Sequence, residues 1–284
     1  MRILITGTLG NIGSAVADYL ITGGNKVLLG DISLTDLNER YPNQDCCYFD
    51  FTKAETFDDA LDNVDRVFLM RPPHLGRPED LEPFIQAMDD KKIQLVVFLS
   101  LMGVETNTRP PHHKIEKIIK SHQIPYSFLR PSFFMQNLSG VHSEEIRIKN
   151  EIFIPAGKSK CSFIDADDIG YAASVILHDA DKHQNTAYTL TGPDSLNYYQ
   201  VAEQMSQLFK RTITYKKPSI LRFRQYMIHK RHLDKTYVNV MCALYLMTRL
   251  GAAEAVNDVF YQLTGRQPHT LKDFLIRESA SFNQ

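Results

Sequence analysis

Residues 2–31 read RILITGTLGNIGSAVADYLITGGNKVLLGD, and this stretch decides the fold. RILIT has the apolar texture of a strand. NIGSAVADYLITGG reads as a helix ending at a glycine pair. NKVLLGD reads as a second strand. Gly7, Gly10 and Gly13 lie between the first strand and the helix in the spacing GxxGxxG. Gly7 suits a tight turn, Gly10 lets backbone approach a pyrophosphate, and Gly13 allows the helix to pack closely on the strand. The helix N-terminus then offers amide N–H groups to the anion. Strand, glycine triplet, helix and second strand within about 30 residues make a dinucleotide-binding unit a better reading than an isolated turn. Asp31 closes the second strand, where an acid can accept from the adenosine ribose hydroxyls and repel a 2′-phosphate. No arginine occurs between Arg2 and Arg40, so this corner favours NAD over NADP.

Beyond residue 31 the strand–helix rhythm continues. DCCYFDF is expected as a third strand and KAETFDDALDN as a helix. DRVFLM follows as a fourth strand, broken by Pro72 and Pro73. PEDLEPFIQAMDDKK is a helix with acids at its start and lysines at its end, as the helix dipole favours. IQLVVFLS is an almost unbroken apolar run, the mark of a strand buried on both faces of a parallel sheet. PPHHKIEKIIKSHQ is the next helix, and IPYSFLRP and NTAYTLTGP are the sixth and seventh strands. This alternation implies an α/β Rossmann fold with a doubly wound parallel sheet of about seven strands. After Arg130 the texture becomes aromatic and irregular, and from Ser195 it is mainly helical. Ser195 is an N-cap candidate, helices are expected at 237–250 and 252–263, and Thr270 with Asp273 suggests a capping box. The sheet domain is expected at 1–130 plus about 160–193. A smaller, mainly helical cap is expected at about 131–159 plus 194–284.

The bulk chemistry narrows the function class. Lys+Arg number 32 and Asp+Glu 33, a formal charge of −1, which argues against a uniformly basic nucleic-acid binder. The apolar share of 43% over 284 residues suits one large or two unequal packed domains. Cys46, Cys47, Cys161 and Cys242 form no CxxC pair and read as reduced thiols. The start MRILITG lacks signal-peptide anatomy, and 237–250 falls short of a membrane span. A cytoplasmic protein is therefore expected.

Three later segments carry a resemblance. FDFTKAETFDDALDNVDRVFLMRPP, VVFLSLMGVE and PHHKIEKIIKSHQIPYSFLRPSFFMQNL resemble the NmrA-like family of atypical short-chain dehydrogenase/reductases, and the likeness continues through IFIPAGKSKCSFIDADDIGYAASVIL and YTLTGP. The resemblance implies a Rossmann domain with a small cap that binds NAD(P). The family includes reductases of quinones and other small electrophiles, and also non-enzymatic sensors of nicotinamide redox state that bind a regulatory partner. It implies a cofactor loop at Gly7, Thr8, Leu9, Gly10, Asn11 and Ile12. It further implies an adenine-side pair at Asp50 and Phe51, a segment under the dinucleotide at Met70, Arg71 and Pro72, and a nicotinamide end near Ser100 and Leu101. Pro131, Ser132, Phe133 and Phe134 match the loop walling that end. His74, Phe133, Phe134 and Asn137 are the substrate-side candidates. The family commonly has Arg or Lys near the end of the second strand, where this chain has Asp31 and Ile32.

A short-chain dehydrogenase of the usual kind needs Tyr and Lys four residues apart on the helix after the fifth strand, opposite a Ser. Ser100 is present, but that helix has no Tyr. Tyr226 and Lys230 have the spacing but fall in the cap and read as coincidence. The helix offers His112, His113 and Lys117 instead. His112 shares a face with Glu116, and His113 with Lys117. Either histidine could donate a proton or contact the nicotinamide ribose, and Lys117 joins the cofactor candidates. His229 and His232 lack the further ligands of a metal site. Asp165, Asp167 and Asp168 read as helix caps. The run from Lys216 to Lys235 is a solvated cap surface or a docking patch for an acidic protein or nucleic acid. Two functions follow: an NAD(P)H-dependent reductase of a quinone or carbonyl compound, or a dinucleotide-binding regulator without turnover.

Overall fold

The structure, a computed structural model, describes residues 1–72 and 75–283. The chain divides into two units. One comprises Met1–Pro131, Ala166–Leu190 and Val259–Arg266, and the other Ser132–Asp165, Thr191–Asp258 and Gln267–Gln284.

The first unit is built on β1 (Arg2–Thr6), α1 (Asn11–Thr22), β2 (Lys26–Asp31), α2 (Leu34–Arg40), β3 (Asp45–Tyr48), α3 (Phe57–Leu61), β4 (Arg66–Leu69), α4 (Glu82–Asp90), β5 (Leu95–Leu99), α5 (Pro111–Ser121) and β6 (Tyr126–Pro131). The Ala166–His178 helix and the Thr186–Leu190 strand complete it, with the Val259–Thr264 helix. The sheet order is β3-β2-β1-β4-β5-β6 and then the Thr186–Leu190 strand, seven strands, all parallel. The chain reverses direction of growth between β1 and β4, the switch point where open sheets bind ligands at strand C-termini. All five residues of β5 are buried, as a strand covered on both faces requires. Phe49, Phe51, Phe57 and Phe84 pack on one another beside β4, with Phe49 and Phe84 centroids 4.7 Å apart. Each fully buried ring contributes roughly 1.5–3 kcal/mol, so this cluster is a main anchor of that face.

The second unit surrounds its own core of Ile154, Met205, Phe223, Tyr245, Phe274 and Phe282. Its main helices are Tyr198–Phe209, Ile220–His229, Lys235–Arg249 and Leu271–Arg277. Thr270 and Asp273 form the capping box read from the sequence. Ser195 does not cap the next helix. Leu196–Asn197 pairs with Lys160–Cys161, and Asn197 then caps through the Tyr199 and Gln200 amides. The 252–263 helix is also shorter than expected. Only Val259–Thr264 is helical, and it groups with the sheet unit. The third strand stops at Tyr48, and the following segment is a 3-10 turn before α3. Among the described residues no helix is long and apolar enough to cross a membrane.

Candidate functional site

The glycine loop connects β1 to α1. Gly7 has φ +66°, the left-handed region that glycine enters without cost, and an added Cβ would stand 2.4 Å from Met70 Cε. At Gly13 a Cβ would lie 2.1 Å from the Gly7 carbonyl oxygen, a backbone atom that cannot give way. Gly10 is the extended N-cap of α1, and Ser14 N–H makes the return bond to its carbonyl. The amides of Asn11, Ile12 and Gly13 therefore have no acceptor one turn back in the helix, which makes this end attractive to an anion. Thr6 Oγ1 donates to the Phe68 carbonyl (3.0 Å) and accepts from Met70 N–H (3.0 Å), tying β1 to β4. Thr8 Oγ1 donates to the Ile5 carbonyl at 2.8 Å. The glycines thus let β1, α1 and Met70 meet closely and leave a backbone cradle of free α1 amides, which suits the diphosphate of a dinucleotide.

Asp31 has a role that the sequence did not reveal. Leu9 N–H donates to its Oδ2 at 2.9 Å and Ile32 N–H to its Oδ1 at 2.8 Å. The carboxylate clamps the glycine loop to the end of β2, and each oxygen retains a lone pair for a ribose hydroxyl. Arg40, at the end of α2, is the first cation after it.

Just beyond β3, Asp50 is closed into a turn. Its Oδ1 accepts from the Thr52 amide (2.9 Å) and hydroxyl (2.7 Å), and its Oδ2 from Tyr48 OH (3.3 Å). Phe51 is buried among Phe49 and Phe84. Met70 lies against Gly7 and Gly10, and Pro72 is half-buried. His74 falls outside the described residues.

Around α5 the structure rearranges the sequence candidates. Ser100 Oγ, buried at the end of β5, donates to Glu116 Oε1 at 2.6 Å. Glu116 is buried on α5 and receives a bidentate grip from Arg130 of β6, Nε to Oε1 at 2.9 Å and a terminal nitrogen to Oε2 at 2.7 Å. Charge-assisted bonds of this kind are among the stronger ones. Glu116 therefore reaches a neighbouring strand, not His112 on its own helix. The Ser100 proton is committed to a carboxylate, which leaves the hydroxyl as an acceptor. Sequence reasoning missed both Glu116 and Arg130 as a unit. The available signal was an arginine near the end of a largely buried strand, which demands a nearby acid.

His113 Nδ1 donates to the Val104 carbonyl at 2.7 Å, a tautomer set by the partner, which can only accept. Its Nε2 is buried without a partner. His112 lies over the Phe98 ring, centroids 6.0 Å apart. Burial first, and then the Arg71 guanidinium, push its pKa down to about 3. It is neutral at physiological pH and keeps a single N–H, so it can donate a hydrogen bond but is not an imidazolium acid. Lys117 is exposed on α5, and Leu101 is half-buried just beyond β5.

In the second unit, Phe133 stacks on Tyr245 at 5.8 Å and Phe134 bridges Ile164. Asn137 is half-buried, with its N–H on the Phe134 carbonyl. Ser132 accepts from Ser162 Oγ at 3.0 Å. Asp165 receives Gln136 and Arg277, a structural role. In the first unit Asp167 receives Tyr19 OH, and Pro131 is buried at the end of β6. In the basic run, Lys216 pairs with Glu151 and Arg231 with Glu144 and Glu145.

A seven-stranded parallel sheet carrying a glycine cradle at its switch point defines a Rossmann-type protein of the dinucleotide-binding class. Residues 1–259 match the NmrA-like family, and the chain belongs to it. It is 31% identical over 282 residues to the uncharacterized oxidoreductase YesF of Bacillus subtilis, covering 98% of this chain and 95% of that one. It is 27% identical to the NAD(P)H azoreductase of Xenophilus azovorans, with 99% of both chains covered. The fold is similar to that of the NADPH-dependent quinone oxidoreductase of Escherichia coli in complex with NADPH. That match has a TM-score of 0.87 at 18% identity, covering 98% of this chain and 99% of the other.

Proposed function

We propose that this protein is an NAD(P)H-dependent reductase that passes a hydride to a small electrophile such as a quinone or carbonyl compound, with NAD(H) favoured over NADP(H). The glycine loop carries the reading, because no Cβ fits at Gly7 or Gly13, so the strand, the loop and α1 meet closely and bring the free α1 amides to the ligand end of the sheet. The α1 amides and Gly10 backbone would hold that diphosphate, and Asp31 would accept from a ribose hydroxyl while repelling a 2′-phosphate. A reduced nicotinamide bound here supplies the hydride. Family membership and the oxidoreductase relatives support a reductase over other uses of the fold.

The residues divide the work by position. Glu116 and Arg130 fix the ends of β5 and β6 and hold the Ser100 hydroxyl as an acceptor. His113 Nε2 presents a lone pair, so it can accept a hydrogen bond. An acceptor such as a quinone can draw its proton from water, so the missing Tyr does not oppose reduction. Pro131, Lys117 and Leu101 are assigned to the cofactor side, and Phe133, Phe134 and Asn137 to the substrate side.

The competing reading is a regulator that binds dinucleotide without turnover and docks a partner through the 216–235 run. Internal ion pairs at Lys216 and Arg231 weaken the charge that docking would use. Purified protein mixed with NADH and a panel of quinones, aldehydes and azo compounds separates the two. Loss of reduced-nicotinamide absorbance with any acceptor supports the enzyme. Cofactor binding with no oxidation across the panel contradicts it.

A further inference from the structure

Arg71, which the resemblance places in the segment under the dinucleotide, has no counter-charge among the described residues. It follows β4 at the ligand end of the sheet. One terminal nitrogen donates to the Pro72 and Leu75 carbonyls, at 3.1 and 2.5 Å. Its Nε is buried without a partner, and no carboxylate of the described residues pairs with it. Burial lowers its pKa, the mark of a charge whose solvation has been partly stripped. A half-buried guanidinium without a counter-charge is costly, and an anionic ligand group would relieve that cost.

A further nitrogen, His112 Nδ1 on the first turn of α5, is buried without a partner. His112 lies close enough to Arg71 for the guanidinium to depress its basicity. The neutral imidazole therefore adds no positive charge that must itself be balanced. Direction matters as well. Met70 turns towards Gly7 and Gly10, whereas Arg71 turns towards Leu75 and His112. The diphosphate cradle thus lies on the Met70 side, and Arg71 turns away from it.

We propose that Arg71, beside His112, is a substrate-recognition site for an oxyanion, and that the preferred acceptor is an aromatic compound bearing a carboxylate or a similar acidic group. This deepens the reductase reading and rests on it for the word substrate. The guanidinium fork matches a planar carboxylate, and its unused Nε–H is one of the donors such a group would take.

The test uses full-length protein saturated with NAD, so that no turnover occurs, and the azo dye methyl red with its uncharged methyl ester as probes. Calorimetric titration should show wild type binding the acid at least about tenfold more tightly than the ester, the scale of one charge-assisted interaction. Arg71→Gln should remove that preference while leaving affinity for the ester within about twofold, and Arg71→Lys should retain part of it. Equal affinity of wild type for both dyes overturns the proposal without any variant. So does an Arg71→Gln protein that weakens NADH while keeping its preference for the acid, which would assign the anion to the cofactor. Selective binding of the acid with no bleaching of either dye by NADH supports the Arg71 site and counts against azo reduction alone.

Discussion

The two ligand-end corners of the sheet are built on opposite plans. At the end of β1 the polar groups close on one another: Asp31 holds the Leu9 and Ile32 amides, Thr6 bridges β1 to β4, and Gly13 leaves room for the Gly7 carbonyl. At the end of β4 and the start of α5, three nitrogens on Arg71, His112 and His113 stand buried and unpaired. The first corner is a preformed backbone cradle, suited to a ligand part that every substrate cycle shares. The second holds unsatisfied side chains, suited to a part that differs between substrates. A closed corner is sensitive to shape, and an open one to charge.

The largest effect should follow a change of shape in the closed corner. Gly13→Ala drives a Cβ into the Gly7 carbonyl oxygen, so NADH binding should fall beyond detection in calorimetry. Retention of wild-type affinity would break the distinction between the corners. Next comes the Ser100–Glu116–Arg130 unit. Arg130→Met leaves a buried carboxylate without its cation and should cost about 3–5 kcal/mol in denaturant unfolding. A loss under about 1 kcal/mol would mean that Glu116 is solvated.

Stability should also depend on pH through the buried histidines. His142 is fully enclosed in the second unit, its Nε2 sharing a hydrogen bond with Tyr245 OH at 2.5 Å, and burial followed by Arg231 pushes its pKa down to about 3. His112 is depressed in the same way. Below the unfolded value of 6.5 the unfolded chain binds protons that the folded chain refuses, so stability falls as pH drops from 6.5 towards 3. His142→Gln should flatten that slope in urea titrations across the window. An unchanged slope would remove His142 from this account. The smallest effect belongs to Asp31→Asn, which keeps an acceptor for Leu9 N–H but loses the charge. The NADH-over-NADPH affinity ratio should fall by roughly fivefold, on the scale of a single exposed charge effect.

What was legible in the sequence followed the range of the interactions. The glycine spacing, the apolar run of β5 and the Thr270–Asp273 box are local patterns, and each predicts its structure. Glu116 was misread because a helix suggests its i,i+4 neighbour, whereas its partner Arg130 arrives from β6 through the fold. Ser195 was displaced as a cap for a similar reason: pairing of Leu196–Asn197 with Lys160–Cys161 moves the helix start to Asn197. The clamp from Asp31 to Leu9 needed β1 and β2 side by side, which spacing alone does not show. Arg71 was marked by the resemblance, but its isolation from carboxylates carries no local signal, since it is a property of the packed chain.

The central claim is that the closed corner holds a nicotinamide dinucleotide. Calorimetric titration of the wild-type protein with NADH, NAD, NADPH and NADP tests it most directly. The account predicts saturable one-to-one binding with NADH tighter than NADPH. Absence of binding by all four dinucleotides would contradict it.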